Sequence, residues 1–389
     1  MLVLASGQAL FQIASVMVMT VGGLAGAQLA ASPRWATLPI AAMFLGTALA
    51  TFPASMWMAR AGRRTGFIAG TLLGAAGGAL AALAIHERSL LLLSAGTFLV
   101  GTYQGFAQFY RFAAGEVAME AHRPRAISLV LAGGVVAAIV GPLLARLGGP
   151  LLSPEYVGTF LILSVVSLGA TAVLAQLSPI PASGQIRPAV MPVQGRRWRE
   201  IVLQPTYLVA LFGAATGYGV MILAMTATPI AMIHHDHGLA TAATVIQLHT
   251  LGMFVPSFFT GDLIARFSVV RVMLAGVALL LGHVLAALSG TQFMSFAGAL
   301  ILLGVGWNFL YVGGTTLLTR TYTANEAARA QATNDMTIFA VGLACSLGAG
   351  ALLDTLGWQR LNLLLVPWLI AAGIALLWFA VRERRDAVG

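Results

Sequence analysis

Residues 217–254 read GYGVMILAMTATPIAMIHHDHGLATAATVIQLHTLGMF, and their pattern decides the architecture of the chain. Two apolar runs flank a short polar hairpin, His234-His235-Asp236-His237-Gly238, and neither run alternates polar and apolar residues as a half-buried strand would. Two helices that cross an apolar layer and turn in water between crossings satisfy this pattern. Met221 and Met225 stand four residues apart in the first run, and His249 and Met253 stand four apart in the second, so each pair falls on one helix face. Counted from the hairpin, Met225 is level with His249, and Met221 with Met253 one turn deeper. At 1.5 Å per residue all four lie roughly 12 to 20 Å in, near the middle of a ~30 Å hydrocarbon core.

The rest of the chain repeats the pattern. Its 389 residues are 59% hydrophobic and only 8% charged, against about 25% charged in soluble domains. Apolar runs long enough to span occur near 4–29, 36–59, 66–85, 90–110, 126–147, 157–177, 205–232, 241–265, 270–289, 293–317, 331–353 and 358–381. The expected fold class is therefore an all-α membrane protein with twelve transmembrane helices. All 21 basic residues are arginines, and 17 fall in the even-numbered connections and the tail: Arg60, Arg63, Arg64, Arg111, Arg123, Arg125, Arg187, Arg196, Arg197, Arg199, Arg266, Arg271, Arg320, Arg329, Arg382, Arg384 and Arg385. Arg34, Arg88, Arg146 and Arg360 remain for the other side. By the positive-inside rule both termini are cytoplasmic and the His hairpin faces outward; a bacterial inner membrane is the location expected from the family resemblance given below. Topology accounts for the net charge of +9, so no nucleic-acid partner is expected. The first run starts almost at Met1, but it lacks a charged n-region and exceeds the length of an h-region, which makes it a span rather than a signal peptide. The single cysteine, Cys345, excludes paired-thiol chemistry and reads as a packing residue. No enzyme activity and no catalytic cofactor are expected.

The chain divides into an N-terminal six-helix half (1–177), a linker (178–204) rich in Pro, Gly and Arg, and a C-terminal six-helix half (205–389). A weak repeat relates the halves. Ser55-x-x-x-Ala59-Arg60-x-Gly62-Arg63-Arg64 aligns, 206 residues on, with Gly261-x-x-x-Ala265-Arg266-x-Ser268. Gly101 and Phe106, followed by Arg111, recur as Gly304 and Phe309, followed by Arg320. Glu120 before Arg125 matches Glu326 before Arg329.

The segment Arg60, Gly62, Arg63, Arg64 resembles the loop signature of the major facilitator superfamily, Gly-x-x-x-Asp-Arg-x-Gly-Arg-Arg, with Ser55 and Ala59 in place of the usual Gly and Asp. The resemblance implies a 6+6 pseudo-symmetric fold in which this loop ties helix ends together. Gly141-Pro142 resembles a motif associated with antiporters, but it is too degenerate to carry direction and reads as a Gly-Pro kink in a packed helix. Polar residues within spans are expensive and mark function. Tyr103, Gln104, Gln108, Trp307, Asn308 and Tyr311 are candidate cavity residues; Asp262 and Asp335 read as helix-end groups that cap or form a loop salt bridge, and His283 as a hydrogen-bonded packing histidine.

Thioether and imidazole ligands suit copper, above all Cu(I), whereas hard ions and Zn(II) want carboxylates or thiolates. Met-x-x-x-Met followed by His-x-x-x-Met resembles the CcoA-like copper importers, a major facilitator subfamily. That resemblance implies inward transport of copper for cytochrome oxidase assembly, with Met221, Met225, His249 and Met253 as metal ligands. His234, His235, His237 and Met232 are then an outer capture path. A periplasmic copper donor, a cytoplasmic copper chaperone, the lipid bilayer and a monomeric state complete the expected partners. Two alternatives stand beside copper: import of a small organic solute such as riboflavin through the polar and aromatic cavity residues, and a non-transporting membrane assembly factor.

Overall fold

A run of about twenty apolar residues with no water to bond must satisfy every backbone group internally, and the helix does so. A computed structural model of the chain describes residues 1–31, 35, 38–178 and 196–386. Helices are the regular structure among these residues: α1 (Leu2–Leu29), α2 (Leu38–Ala61), α3 (Arg63–His86), α4 (Leu90–Ala107), α5 (Tyr110–Val117), α6 (Arg123–Ala132), α7 (Gly134–Gly148), α8 (Val157–Leu174), α9 (Trp198–Val202), α10 (Pro205–His234), α11 (Leu239–Phe254), α12 (Ser257–Phe267), α13 (Val269–Leu288), α14 (Phe293–Leu318), α15 (Ala327–Leu363) and α16 (Leu365–Asp386).

Ten stretches of the described residues are long and apolar enough to cross a membrane. One of them, Ala327–Glu383, holds two crossings, because Gly357 turns the chain with φ 73° and α16 follows. A further crossing is split into α11 and α12, which meet at Val255 and Pro256. The twelve spans expected from sequence are thus present, and several run past their apolar cores. The fourth continues through a break at Gln108 and Phe109 into α5, carrying Arg111 and Glu116, and the fifth begins at Arg123.

The backbone repeats as the sequence does. Gly62, before α3, has φ 88° and ψ 154°, and Ser268, its counterpart 206 residues on and before α13, has φ 86° and ψ 152°. Positive φ costs glycine nothing and costs serine strain, so the second copy keeps the turn without the residue that suits it. Gly101 lets α4 close onto the backbone of α2 at Met43, and Gly304 lets α14 close onto the backbone of α11 at His249 and Met253.

The chain forms two compact units. The first comprises Met1–Ala118, Gly133–Gln194 and Ala324–Met336; the second comprises Met119–Ala132, Gly195–Thr323 and Thr337–Gly389. In the first, α3 packs along α4 and α8, α2 along α4, and α1 along α7 and α8. In the second, α14 is the common partner of α10, α11 and α13, with α16 against α13 and α10, and α12 against α6. Two segments in matching places of the repeat, 119–132 and 324–336, pack with the unit opposite to that of their sequence neighbours. Residues 179–195 of the expected linker lie outside the described residues. Its described end is tied down: Arg196 Nη2 and Gln204 Nε2 donate to the Thr321 carbonyl at 2.9 and 3.0 Å.

Candidate functional site

Aromatic side chains at i and i+4 on one helix stack over each other. On α14 this spacing places Trp307 on Tyr311 with ring centroids 4.8 Å apart and planes 16° apart. Tyr218 of α10 lies 6.2 Å from Tyr311 and stands edge-on to Phe339 at 5.2 Å. Phe254, at the end of α11, meets Trp307 edge-on at 5.8 Å. Four elements of the second unit therefore supply five rings, all buried. The indole Nε1 of Trp307 has no hydrogen-bond partner among the described residues, so one donor in this apolar wall is uncommitted. A planar heteroaromatic with carbonyl acceptors would meet both needs, ring faces and a donor. Sequence reading found Trp307 and Tyr311 and missed Tyr218, Phe254 and Phe339, because only the packing of α10 and α11 on α14, and of Phe339 of α15 on Tyr218 of α10, joins them.

Asn308, beside Trp307, has a different task. Its Nδ2 donates to the Met253 carbonyl at 2.7 Å and contacts Ser257 Oγ at 2.6 Å, while its Oδ1 accepts from Thr260 Oγ1 at 2.7 Å. The amide is spent on fastening α14 to α11 and α12 across the break at Pro256.

Of the four soft ligands, Met221, His249 and Met253 are buried and Met225 is half-buried. His249 reaches α14, where its Nδ1 lies 2.8 Å from the Leu300 carbonyl. A carbonyl can only accept, so the proton sits on Nδ1, and the Nε2 lone pair is left without a partner among the described residues. His283 is the packing histidine expected from sequence. Its Nδ1 lies 2.9 Å from the adjacent Ala299 carbonyl and its Nε2 lies 2.9 Å from Asn362 Oδ1. In the hairpin, His234 and His235 are exposed, Met232 is buried, and His237 Nε2 donates to the Thr291 carbonyl at 2.7 Å with its ring edge-on to Phe296 at 5.7 Å. Among the described residues, no group of three or more His, Cys, Asp or Glu is placed to hold a metal ion.

In the first unit, Tyr103 is buried edge-on against Phe11 at 5.5 Å, and Gln104 Oε1 is without a partner among the described residues. Gln108 Oε1 accepts from Arg111 Nη1 at 2.8 Å, which makes it a holder of Arg111. The loop signature is functional as structure. Gly62 supplies the turn, Arg63 bonds Glu116 at 2.6 Å and Gln331 at 3.0 Å, Arg64 donates to the Ala175 carbonyl, and Arg60 is exposed. Asp335, read from sequence as a helix-end group that caps or joins a loop salt bridge, does form a salt bridge, to Arg111 at 2.6 Å, and is fully buried in it.

A family model described as the Major Facilitator Superfamily matches residues 4–248 and, overlapping, 215–389. The chain is 39% identical over 368 residues to the riboflavin transporter RfnT of Brucella anthropi, covering 94% of this chain and 92% of that one. It is 30% identical to YdeG of Bacillus subtilis, an uncharacterized MFS-type transporter, over 89% of this chain and 83% of that one. Among solved structures it resembles FucP in the outward conformation, with TM-score 0.72, 16% identity and 97% of each chain covered. It also resembles the human organic anion transporter MFSD10, with TM-score 0.75, 12% identity, and 96% and 98% covered.

Proposed function

We propose, from the premise that this chain belongs to the Major Facilitator Superfamily, that it is an alternating-access importer of riboflavin or a closely related flavin. The observation that carries this reading is the wall of Trp307, Tyr311 and Tyr218, whose planar faces and uncommitted indole N–H suit an isoalloxazine-like ring. The likeness to a relative named as a riboflavin transporter supports the same substrate class, and moves the organic-solute alternative ahead of copper. The test is uptake of labelled riboflavin and of copper, side by side, in a bacterial strain that can neither make nor import flavin. Saturable riboflavin uptake with no gain in cellular copper is the expected result; copper uptake without riboflavin uptake would reverse the reading. Absence of both would favour the non-transporting assembly factor.

Copper stands as a second reading on one observation, the buried Nε2 of His249, without a partner among the described residues, four positions before the buried Met253 on α11. In that case Met221→Leu, Met225→Leu, His249→Gln and Met253→Leu each abolish copper uptake. In the flavin reading the three Met→Leu changes leave riboflavin uptake in place, since volume-conserving hydrophobic swaps cost less than about 1.5 kcal/mol.

Either reading places the protein in a bacterial inner membrane with both termini cytoplasmic. Cysteines introduced at His235 and Arg197, in a Cys345→Ala background, should react with an impermeant thiol reagent from opposite sides. Reaction of both from one side would overturn this orientation.

A further inference from the structure

Two buried histidines of the second unit bond consecutive carbonyls of α14, and their hydrogen-bond patterns differ. His249 of α11 meets the Leu300 carbonyl through Nδ1 and leaves Nε2 without a partner among the described residues, a pattern that the neutral ring satisfies. His283 of α13 has an acceptor at each nitrogen. Its Nδ1 lies 2.9 Å from the Ala299 carbonyl, and its Nε2 lies 2.9 Å from Oδ1 of Asn362. The amide is not free to present its other edge to the ring. Asn362 Nδ2 donates to the Trp358 carbonyl at 2.8 Å, and an oxygen in that place would face another acceptor. Two acceptors require two N–H donors, and of the forms of a histidine ring only the imidazolium carries both.

We propose that His283 is a proton-binding site, with the Ala299 carbonyl and Asn362 Oδ1 as the acceptors that hold the charged ring, and that its proton fastens the turn after Gly357 to α13 and α14. The proton comes from solvent, forms one N–H bond at Nε2 and breaks no covalent bond of the protein. His283 and Asn362 are fully buried, and a buried charge is costly unless it is hydrogen-bonded, so both acceptors are needed to hold it. Without the proton, the lone pairs of Nε2 and Oδ1 face each other. The Asn362 amide then turns over, donates Nδ2 to the ring and gives up the Trp358 carbonyl. The amide thus has two positions, and the proton selects between them. Trp358 is buried against Phe296 at 5.1 Å, and Phe296 meets His237 of the hairpin at 5.7 Å, so the fastened turn reaches the hairpin through packed rings.

The other titratable and charged groups on the elements around His283 are few. His249 of α11 is buried; His234, His235 and Asp236 at the end of α10 are exposed, and His237 is half-buried. Asp262 and Arg266 of α12, Arg271 of α13, and Asp354 and Arg360 of α15 are exposed; Arg329 and Asp335 lie in the first turns of α15, and α16 carries charge only from Arg382 onward. The sequence of α14 carries none. The inference reads no solute flux and holds whichever substrate is carried.

The test uses the full chain in lipid nanodiscs, with 15N in the histidine rings and 13C at the side-chain carbonyl of asparagine, read by solid-state NMR. Dipolar transfer from that carbon selects His283, which bonds Asn362. Both ring nitrogens should be protonated at pH 5.5, and the Nε2–H signal should be lost at pH 8, across the interval in which histidine changes charge. The Asn362 Cγ resonance should shift with the same midpoint as the amide turns over. In His283→Gln the selected ring signal should vanish. The proposal is overturned if Nε2 is unprotonated at pH 5.5, the result for a histidine that only packs. It is overturned equally if the Nε2–H signal persists unchanged at pH 8, if Cγ does not follow the ring, or if the selected signal survives in His283→Gln.

Discussion

Trp307→Ala is expected to reduce riboflavin uptake by about 5- to 150-fold at low substrate, corresponding to the roughly 1–3 kcal/mol that one stacked base–aromatic contact contributes. The indole is the largest ring of the cluster, is stacked on Tyr311, and holds the uncommitted donor. Removing it takes away one face and one hydrogen bond together. It also leaves a void, and truncating a buried aromatic costs about 3–5 kcal/mol of stability, so protein level in the membrane must be measured alongside. Trp307→Phe separates the two effects. It keeps a ring face against Phe254 and Tyr311 and lacks only the N–H, so it should restore the level and part of the uptake, with a raised KM. Wild-type KM in Trp307→Ala would remove the aromatic wall from the transport path.

Asn308 shows why residue type alone misplaced part of this site. An amide within an apolar run reads as a ligand group, yet here it is consumed by Met253, Ser257 and Thr260, contacts set by where α11 breaks at Pro256. Polar character within a span was legible in sequence, and it found Trp307 and Tyr311. Which other helix faces the pair was not, so Tyr218 and Phe339 were missed. The methionine and histidine pairs illustrate the same limit. Equal depth was legible, but His249 turns toward Leu300 of α14, and α14 is the main packing partner of both α10 and α11. Depth fixes the height of a side chain and leaves its direction open. Asp335 was legible as an acid near a helix end. Its partner Arg111 lies 224 positions away in sequence, beyond the reach of any local pattern.

What the sequence did carry was the twelve spans and the repeat between halves, and the repeat yields the second large effect. Gly101→Leu and Gly304→Leu are each expected to prevent accumulation of folded protein, at a cost above about 3 kcal/mol, the upper end of ordinary overpacking. Both glycines sit where one helix backbone rests on another. A methyl group at Gly304 would stand 2.7 Å from Met253 N and 2.8 Å from the Gly252 carbonyl carbon, and one at Gly101 would meet the Met43 backbone still more closely. Neither neighbour is the end of a flexible side chain, so helices must separate to make room, and in hydrocarbon this small-residue packing is itself the attraction between them. Separation at Gly304 would also pull Asn308 from its partners on α11 and α12 and carry Trp307 away from Phe254. The control lies on the same helix. A Cβ added at Gly298 meets nothing within 4 Å, so Gly298→Leu has the same composition and propensity change and should accumulate normally. Fluorescence size-exclusion of detergent extracts reads all three. A monodisperse peak for Gly304→Leu, equal to that of Gly298→Leu, would mean that α11 and α14 are not in backbone contact and would withdraw the matching role of Gly101.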